Sequence, residues 1–154
     1  MNAEGKGALD DVDKRIIEQL QQDGRRPYTQ IAPAVGLSEA AVRQRVQRLI
    51  DSGVMQIVGV TDPKMVGYGR QAMIGLSVEG DTRKIADAVA ALDEVVYVVL
   101  TAGSLDVLVE VVVKDDEGLL DLLNNKIRTI EGVRDTETFM YLRIHKETYA
   151  WGAP

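Results

Sequence analysis

The chain contains no cysteine and only one histidine, His145. Without cysteine it cannot form a disulfide framework, a cysteine-ligated zinc site or a cysteine nucleophile. One histidine cannot build a histidine-rich metal cluster, and a Ser-His-Asp triad would have to use it. We find no other constellation of titratable residues typical of an active site. The sequence therefore predicts a protein that is not an enzyme and that holds no metal or cofactor.

The chain also lacks a long apolar run. The most apolar stretch, residues 95–113, is interrupted by Asp106 and Glu110, whereas a membrane-spanning helix needs about 20 predominantly apolar residues. Residues 1–11 contain no apolar core of a secretory signal. A composition of 45% hydrophobic and 27% charged residues is normal for a folded soluble protein. We therefore expect a cytoplasmic protein without membrane contact.

Charge is unevenly distributed along the sequence. The net charge is −6, from 18 basic and 24 acidic side chains, yet residues 1–53 are neutral and the whole excess lies in residues 54–154. An acidic protein can still bind a polyanion through a local basic cluster, because charges act over about 8 Å at physiological salt. A solvated helix face is the alternative interpretation. The clustered arginines are Arg25, Arg26, Arg43, Arg45 and Arg48.

Apolar residues recur at helical spacing before residue 54, and helix-end signals divide this part into three helices. Only about three residues separate the last two, which is the spacing of a helix-turn-helix. Residues 54–60 read as a strand, which predicts a wing after the motif. The predicted helices run from the N-cap Asp10 to Asp23, over about Tyr28 to Val35, and from the N-cap Ser38 to about Ser52.

Two prolines affect the second helix. Pro27 takes the N-cap position, where it supplies no capping oxygen. Pro33 falls inside the helix, where a proline costs about 3 kcal/mol. We therefore expect the second helix to be kinked or broken after Ala32.

The second half of the chain follows the order β-α-β-β-α-β, which is the ferredoxin-like pattern. In its second helix, the apolar residues Leu119, Leu123, Ile127 and Ile130 are predicted to face inward. Its predicted strands cover 72–78, 95–101, 105–113 and 133–145, and its helices begin near 81 and 115. The predicted fold class is α+β: a winged helix-turn-helix domain (1–60), a linker (61–69) and a ferredoxin-like βαββαβ domain (70–154).

Two helices can cover only one face of a four-stranded sheet. A large apolar patch on the other face would rarely be left in water, so we predict self-association through that face. Coverage by the C-terminal tail is the alternative. The exposed residues are expected to come from Val96, Val98, Leu108, Val112, Met140 and Leu142.

Motifs in both halves resemble the Lrp/AsnC (feast/famine) transcription regulators over about residues 9–149. They are LDDVDKRIIEQLQQDGRR and IAPAVGLSEAAVRQRVQRLIDSGVMQ in the first half, and GSLDVL (103–108) and GVRDTET (132–138) in the second. The resemblance implies a DNA-binding winged helix and a ferredoxin-like RAM domain that dimerises, often assembles to octamers, and binds an amino acid. It also implies phosphate contacts from Tyr28 and Thr29.

The third helix is the candidate reader of double-stranded DNA. With about 100° per residue, Val42, Val46 and Leu49 face inward and the polar residues face outward or to the flank. Arginine suits guanine and glutamine suits adenine. Because the N-terminal part of a recognition helix usually reaches the groove floor, the candidates for base or nearby phosphate contact are Ser38, Ala40, Arg43 and Gln44.

Four further residues of this helix have other expected roles. Gln47 and Arg48 lie further along the helix and are predicted to contact phosphate. Arg45 sits at the core boundary, where it either contacts DNA or pairs with an acidic residue. Glu39 would repel phosphate unless it accepts a hydrogen bond from a cytosine or caps the helix.

The loop of residues 101–106 is the effector site that the resemblance implies. By themselves, these residues read as a hairpin turn followed by a solvated or capping aspartate. For an amino acid, Asp106 would bind the ammonium group and backbone N–H groups near Gly103 would bind the carboxylate. Hydroxyl groups on the last strand would join them from a neighbouring subunit. The candidate effector residues are Thr101, Gly103, Ser104, Leu105, Asp106, Thr136 and Thr138.

The sequence thus predicts a sequence-specific transcription regulator, modulated by an amino acid, that forms a homodimer and assembles to an octamer. The alternative is a ferredoxin-like small-molecule-binding protein with a helical appendage and no DNA-binding role. That alternative rests only on Asp106 and the threonines.

Overall fold

The computed structural model describes residues 9–154, which divide into two compact units. One unit contains the chain up to Val60 together with Lys146–Pro154, and the other contains Thr61–His145. The predicted ferredoxin-like domain includes residues 146–154, which the structure places in the first unit. They belong with the first because Ala153 packs against its helical core and the Gly152 N–H donates to Gln21 Oε1 at 2.9 Å.

Residues 9–60 form three α-helices, as predicted. Helix α1 covers Asp11–Gln22, α2 covers Tyr28–Val35 and α3 covers Glu39–Asp51. Asp10 and Asp13 form a reciprocal capping box at the start of α1, which satisfies two backbone N–H groups that would otherwise lack partners. The core shared by the three helices consists of Ile16, Ile17, Leu20, Ile31, Ala32, Val35, Val42, Val46 and Leu49.

Helix α2 is continuous through Pro33, so the helix is not broken after Ala32, which was one of the two predicted outcomes. Pro33 lies on the exposed side of the helix, while Ile31, Ala32 and Val35 are buried on the other side. The proline removes one backbone hydrogen bond, and burial of these apolar side chains holds the helix together despite that loss. Gly36 then ends α2 with a φ of 73°, in the left-handed region that favours glycine.

Residues 54–60 form no strand in the described part of the chain, so the predicted wing is wrong. Alternating apolar residues form a strand only where a neighbouring strand completes the hydrogen-bond ladder, and residues 54–60 pair with none. Val58 and Val60 are exposed, whereas Met55 packs against the helical core. In the predicted linker, a short 3₁₀ turn over Pro63–Val66 follows the capping residue Asp62.

Residues 61–145 contain the predicted βαββαβ arrangement. Its four strands are antiparallel and lie in the order β2-β3-β1-β4. The strands are β1 (Arg70–Val78), β2 (Val95–Leu100), β3 (Val107–Val113) and β4 (Val133–Met140). The helices are α4 (Thr82–Ala90) and α5 (Asp116–Asp121), and α5 continues into a π-helical segment, Leu122–Ile127. No helix within residues 9–154 is long and apolar enough to cross a membrane.

The last strand is shorter than the predicted 133–145. It ends because its partner β1 begins at Arg70: Met140 pairs with Ala72, and the Tyr141 N–H donates to the Gln71 carbonyl. Residues further along have no strand beside them. Leu142 is accordingly 91% exposed.

The π-helical segment changes which residues of the second helix face inward. Leu122 and Ile127 are fully buried, and their spacing of five residues fits a π turn. The predicted set followed the α-helical period and therefore missed Leu122. Leu119, Leu123 and Ile130 pack only at the edge of the core.

One face of the sheet carries the core, and the opposite face is not covered by α4 or α5. Val98 pairs with Val109, and Met140 pairs with Ala72. Because directly paired residues share a face, both lie on the core side and were wrongly predicted for the other. The alternation places Met73, Tyr97, Leu108, Val112 and Phe139 on the uncovered side, which we call the open face.

Candidate DNA interface and effector loop

The outward side of α3 forms an open depression lined mainly by polar residues. It presents the side chains that DNA recognition requires, because arginine and glutamine can each make two hydrogen bonds to a base edge. Gln44 is exposed and has no hydrogen-bond partner within residues 9–154. The lining residues are Ala40, Arg43, Gln44, Gln47, Arg48, Asp51 and Ser52.

Arg43 is held in place by two neighbours on this side of α3. Its Nη2 donates to Glu39 Oε1 at 2.9 Å, and its Cζ lies 5.2 Å from the centre of the Tyr28 ring. The second distance is within the range of a cation–π interaction. The Arg43 side chain is nevertheless 65% exposed and the Glu39 side chain 47%. Tyr28, expected at a phosphate, is thus half-buried beneath the guanidinium group.

Arg45 takes the structural role that was one of its two predicted alternatives. Its Nη1 donates to Asp10 Oδ2 at 2.6 Å and to Asp13 Oδ1 at 2.8 Å. The hydrogen bond from Arg45 lowers the pKa of the Asp10 carboxyl, and the same bond raises the pKa of Arg45. Arg45 therefore connects α3 to the start of α1.

Arg48 also turns toward α1. Its Nη2 donates to both oxygens of Asp13 at 2.7 Å. The Arg48 side chain is 59% exposed, so solvent still reaches the guanidinium group. Much of its charge is already balanced by Asp13, which weakens the case for the predicted phosphate contact.

Asp13, in the first turn of α1, accepts from both Arg45 and Arg48 and was not among the predicted site residues. It is 2% exposed and is the only buried charged residue within residues 9–154. Its position offered a signal, since it lies three and four residues before the buried Ile16 and Ile17. An acid on an apolar helical stripe needs a buried partner, and α3 supplies it.

Of the remaining candidates, one caps a helix, one is hydrogen-bonded within α3 and two are exposed. Ser38 Oγ accepts from the Ala41 N–H at 3.2 Å and so caps α3. Gln47 donates to Asp51 Oδ1 at 2.8 Å. Thr29 and Ala40 are exposed.

The predicted effector loop joins β2 to β3 and is fixed at both ends. The Thr101 N–H donates to the Asp106 carbonyl at 2.9 Å, and the Thr101 hydroxyl donates to the Leu105 carbonyl. Leu105 packs over Gly75, where an added Cβ would come within 2.3 Å of it. Gly103 and Ser104 are exposed between these anchors.

Asp106 is more firmly built into the sheet than the sequence suggested. Its Oδ2 accepts from the Val78 N–H at 2.8 Å, and its own N–H donates to the Leu76 carbonyl at 2.8 Å. It is half-buried rather than freely solvated. Its Oδ1 has no hydrogen-bond partner in the described chain.

Thr136 and Thr138 do not meet the loop within one chain. They pair with Leu76 and Ile74, so they lie on the core side of the sheet. The strand β1 separates β4 from β3, and thus from the end of the loop. Thr136 Oγ1 accepts from Arg128 Nε at 3.1 Å and from Nη2 at 3.0 Å. Any joint site with the loop requires a second chain.

Residues 9–50 match the model of the AsnC-type helix-turn-helix domain, and residues 71–151 match that of the Lrp/AsnC ligand binding domain. The chain belongs to the Lrp/AsnC family. As a member of this family it is a transcription regulator and not an enzyme, as the sequence predicted.

Lrp/AsnC relatives match nearly the whole chain. The HTH-type transcriptional regulator FL11 of Pyrococcus furiosus is 38% identical over 145 residues, covering 93% of this chain and 95% of that protein. Among solved structures, E. coli AsnC has a TM-score of 0.81 and 26% identity, covering 91% of this chain and 96% of AsnC. A transcriptional regulator from Neisseria meningitidis in complex with L-Met has a TM-score of 0.82 and 26% identity, covering 93% and 96%.

Proposed function

We propose that the protein is a sequence-specific regulator that reads the major groove of duplex DNA with the outward side of α3. The observation that carries this proposal is the exposed row of Arg43, Gln44 and Gln47 on one helix within a helix-turn-helix. Arginine can bind guanine and glutamine can bind adenine in the major groove. DNA as the ligand also favours the cytoplasmic location expected from the sequence.

The ion pairs behind α3 support this role indirectly. Arg45 and Arg48 are bonded to Asp13, and Arg43 is paired with Glu39, so each arginine of α3 already has an acidic partner. One helix with so little free positive charge would bind DNA weakly, since phosphate neutralisation supplies most non-specific affinity. Strong binding would then require two copies of the motif, as in a dimer on two half-sites.

We further propose that this second copy joins through the open face. Met73, Tyr97, Leu108, Val112 and Phe139 would be covered by the same residues of the partner, which is the arrangement of a two-fold interface. Assembly of such dimers into octamers remains a prediction from the resemblance.

The second unit is proposed to bind an amino acid at the loop of residues 101–106. The match to a ligand-binding domain and the L-Met complex of the N. meningitidis relative support a small-molecule effector. In this chain, exposed backbone around Gly103 could bind a carboxylate, and Asp106 Oδ1 is available for an ammonium group. Thr136 and Thr138 would have to come from another chain.

Two measurements test the proposal. Duplexes selected from a random pool by the full-length protein should share a motif, and their affinity should fall steeply with salt because bound counterions are released. Thermal-shift screening against the twenty amino acids should find at least one that raises the melting temperature, because it binds only the folded state. Absence of DNA binding at low salt, with tight amino-acid binding, would instead support the small-molecule-binding alternative.

A further inference from the structure

Glu39 and Arg43 form an exposed ion pair on the side of α3 that we propose faces DNA. They are four residues apart, and Arg43 Nη2 lies 2.9 Å from Glu39 Oε1. Both side chains are reached by solvent, and Glu39 lies in the first turn of the helix. The first turn of a recognition helix is the part that comes closest to the bases.

Glu39 is not needed to cap the helix or to balance a buried charge. Ser38 Oγ already caps α3, and the core beneath consists of Val42, Val46 and Leu49. Glu39 Oε2 has no hydrogen-bond partner within residues 9–154. The carboxylate is therefore an outward acceptor placed where a phosphate would repel it but a base amino group would not.

The chemistry of base edges selects the partner of such an acceptor. Cytosine presents only a donor, its N4 amino group, in the major groove, whereas adenine places the acceptor N7 beside its amino group. Arg43 can occupy O6 and N7 of guanine at the same time. The Tyr28 ring supports the guanidinium group, and this support reduces the motion that would be lost when DNA binds.

We propose that Glu39 is a specificity-determining residue, whose carboxylate accepts a hydrogen bond from cytosine N4 while Arg43 binds a guanine in the adjacent base pair. This inference rests on the proposed function, because it assumes that α3 enters the major groove. It extends that function by naming the bases that the ion pair reads.

The test compares the sequences selected from a random duplex pool by the full-length wild type and by Glu39→Ala. The wild type should enrich a guanine together with a cytosine in the adjacent base pair. Glu39→Ala should keep the guanine and lose the cytosine. Replacing that cytosine in a matched duplex should weaken wild-type binding about tenfold and Glu39→Ala binding hardly at all.

Glu18→Gln is the matched control, because it removes one negative charge from an exposed residue of α1 that does not line the depression on α3. It should keep both base preferences. Circular dichroism should give unchanged helicity for both variants, since both side chains are exposed.

Three results would overturn the inference. Glu39→Ala could retain the cytosine preference, or it could lose the guanine preference as well, which would make Glu39 a support for Arg43 only. It could also bind all sequences more tightly by one common factor, which would make Glu39 a simple source of repulsion. A wild type that binds without any sequence preference would instead refute the proposed function, and this inference with it.

Discussion

Arg48 of α3 donates to both carboxylate oxygens of Asp13 of α1, at 2.7 Å each. Asp13 is buried, and it also accepts from Arg45 at 2.8 Å. Two arginines of the candidate recognition helix are thus bonded to one carboxylate on a neighbouring helix. The pairs orient α3 on its support and reduce the positive charge that α3 presents to solvent.

Asp13→Ala should destabilise the helical unit. The substitution removes half of the capping box, leaves Arg48 without its partner and leaves Arg45 with Asp10 alone. Because both arginines can regain water, we expect a loss of about 1–3 kcal/mol in the free energy of unfolding, and less than for a fully buried pair. Urea denaturation followed by circular dichroism measures it. Glu18→Ala, an exposed acid on the same helix, is the control, and equal losses in both variants would contradict the structural role of Asp13.

Arg43→Ala should weaken binding to the selected DNA site by about 1–3 kcal/mol, the value of one two-bond base contact. Binding to unrelated duplexes should fall much less. Fluorescence anisotropy with both kinds of duplex at one salt concentration distinguishes the two. An equal loss on all sequences would make Arg43 a phosphate contact.

Asp106→Asn should separate the two roles of this side chain. An amide oxygen can still accept from the Val78 N–H, so stability should be nearly unchanged. Affinity for the amino acid found in the screen should fall about ten- to a hundredfold, since a charged hydrogen bond contributes about 1.5–3 kcal/mol. Isothermal titration calorimetry gives the affinity.

Asp106→Ala is the companion variant. It removes the acceptor for Val78 and should cost about 1 kcal/mol of stability in addition to the loss of affinity. If Asp106→Asn bound the amino acid as tightly as wild type, the carboxylate would have only the structural role.

Phe139→Asp should prevent self-association of the full chain. Phe139 lies on the open face opposite Met73, and a dimer through this face would bury the introduced charge. Sedimentation at micromolar concentration should give an assembly for the wild type and a monomer for the variant. Leu142→Asp adds the same charge at an exposed residue beyond the end of β4 and should stay assembled. A wild-type monomer would refute the proposed interface.

Glu94→Gln should reduce stability in a pH-dependent way. The hydrogen bond from Lys126 lowers the pKa of Glu94 below its ordinary 4.5, and the same bond raises the pKa of Lys126 above 10.5. A carboxyl with a lowered pKa contributes to the free energy of unfolding; this contribution is complete above pH 4.5 and disappears as the pH falls through the folded-state pKa. The contribution of Lys126 to the free energy of unfolding is complete below pH 10.5 and is lost as the pH rises through its raised folded-state pKa.

The difference in melting temperature between wild type and Glu94→Gln should therefore be largest between pH 5 and 10, a window set by those two ordinary values, and should shrink in acid. Glu117→Gln, an exposed acid in α5, serves as the control. A difference that stays constant from neutral to acidic pH would show that the ion pair does not cause it.

Local chemistry in the sequence was sufficient to determine the helices, the succession of strands and helices along the chain, and most of the core. Asp10 and Ser38 cap α1 and α3 as predicted, because the side chain and the backbone groups it satisfies are close in the chain. Ile74 and Val109 are both buried, since strand alternation fixes which side chains share a face.

Tertiary structure decided what depends on distant partners. Residues 54–60 have a strand-like pattern but no strand to pair with, and β4 ends where β1 no longer lies beside it. The burial of Asp13 follows from two arginines more than thirty residues away along the chain. The Asp106 carboxylate is held against β1 because the Val78 N–H lies within hydrogen-bonding distance. None of these contacts is encoded by neighbouring residues, since each depends on where another segment comes to lie after folding.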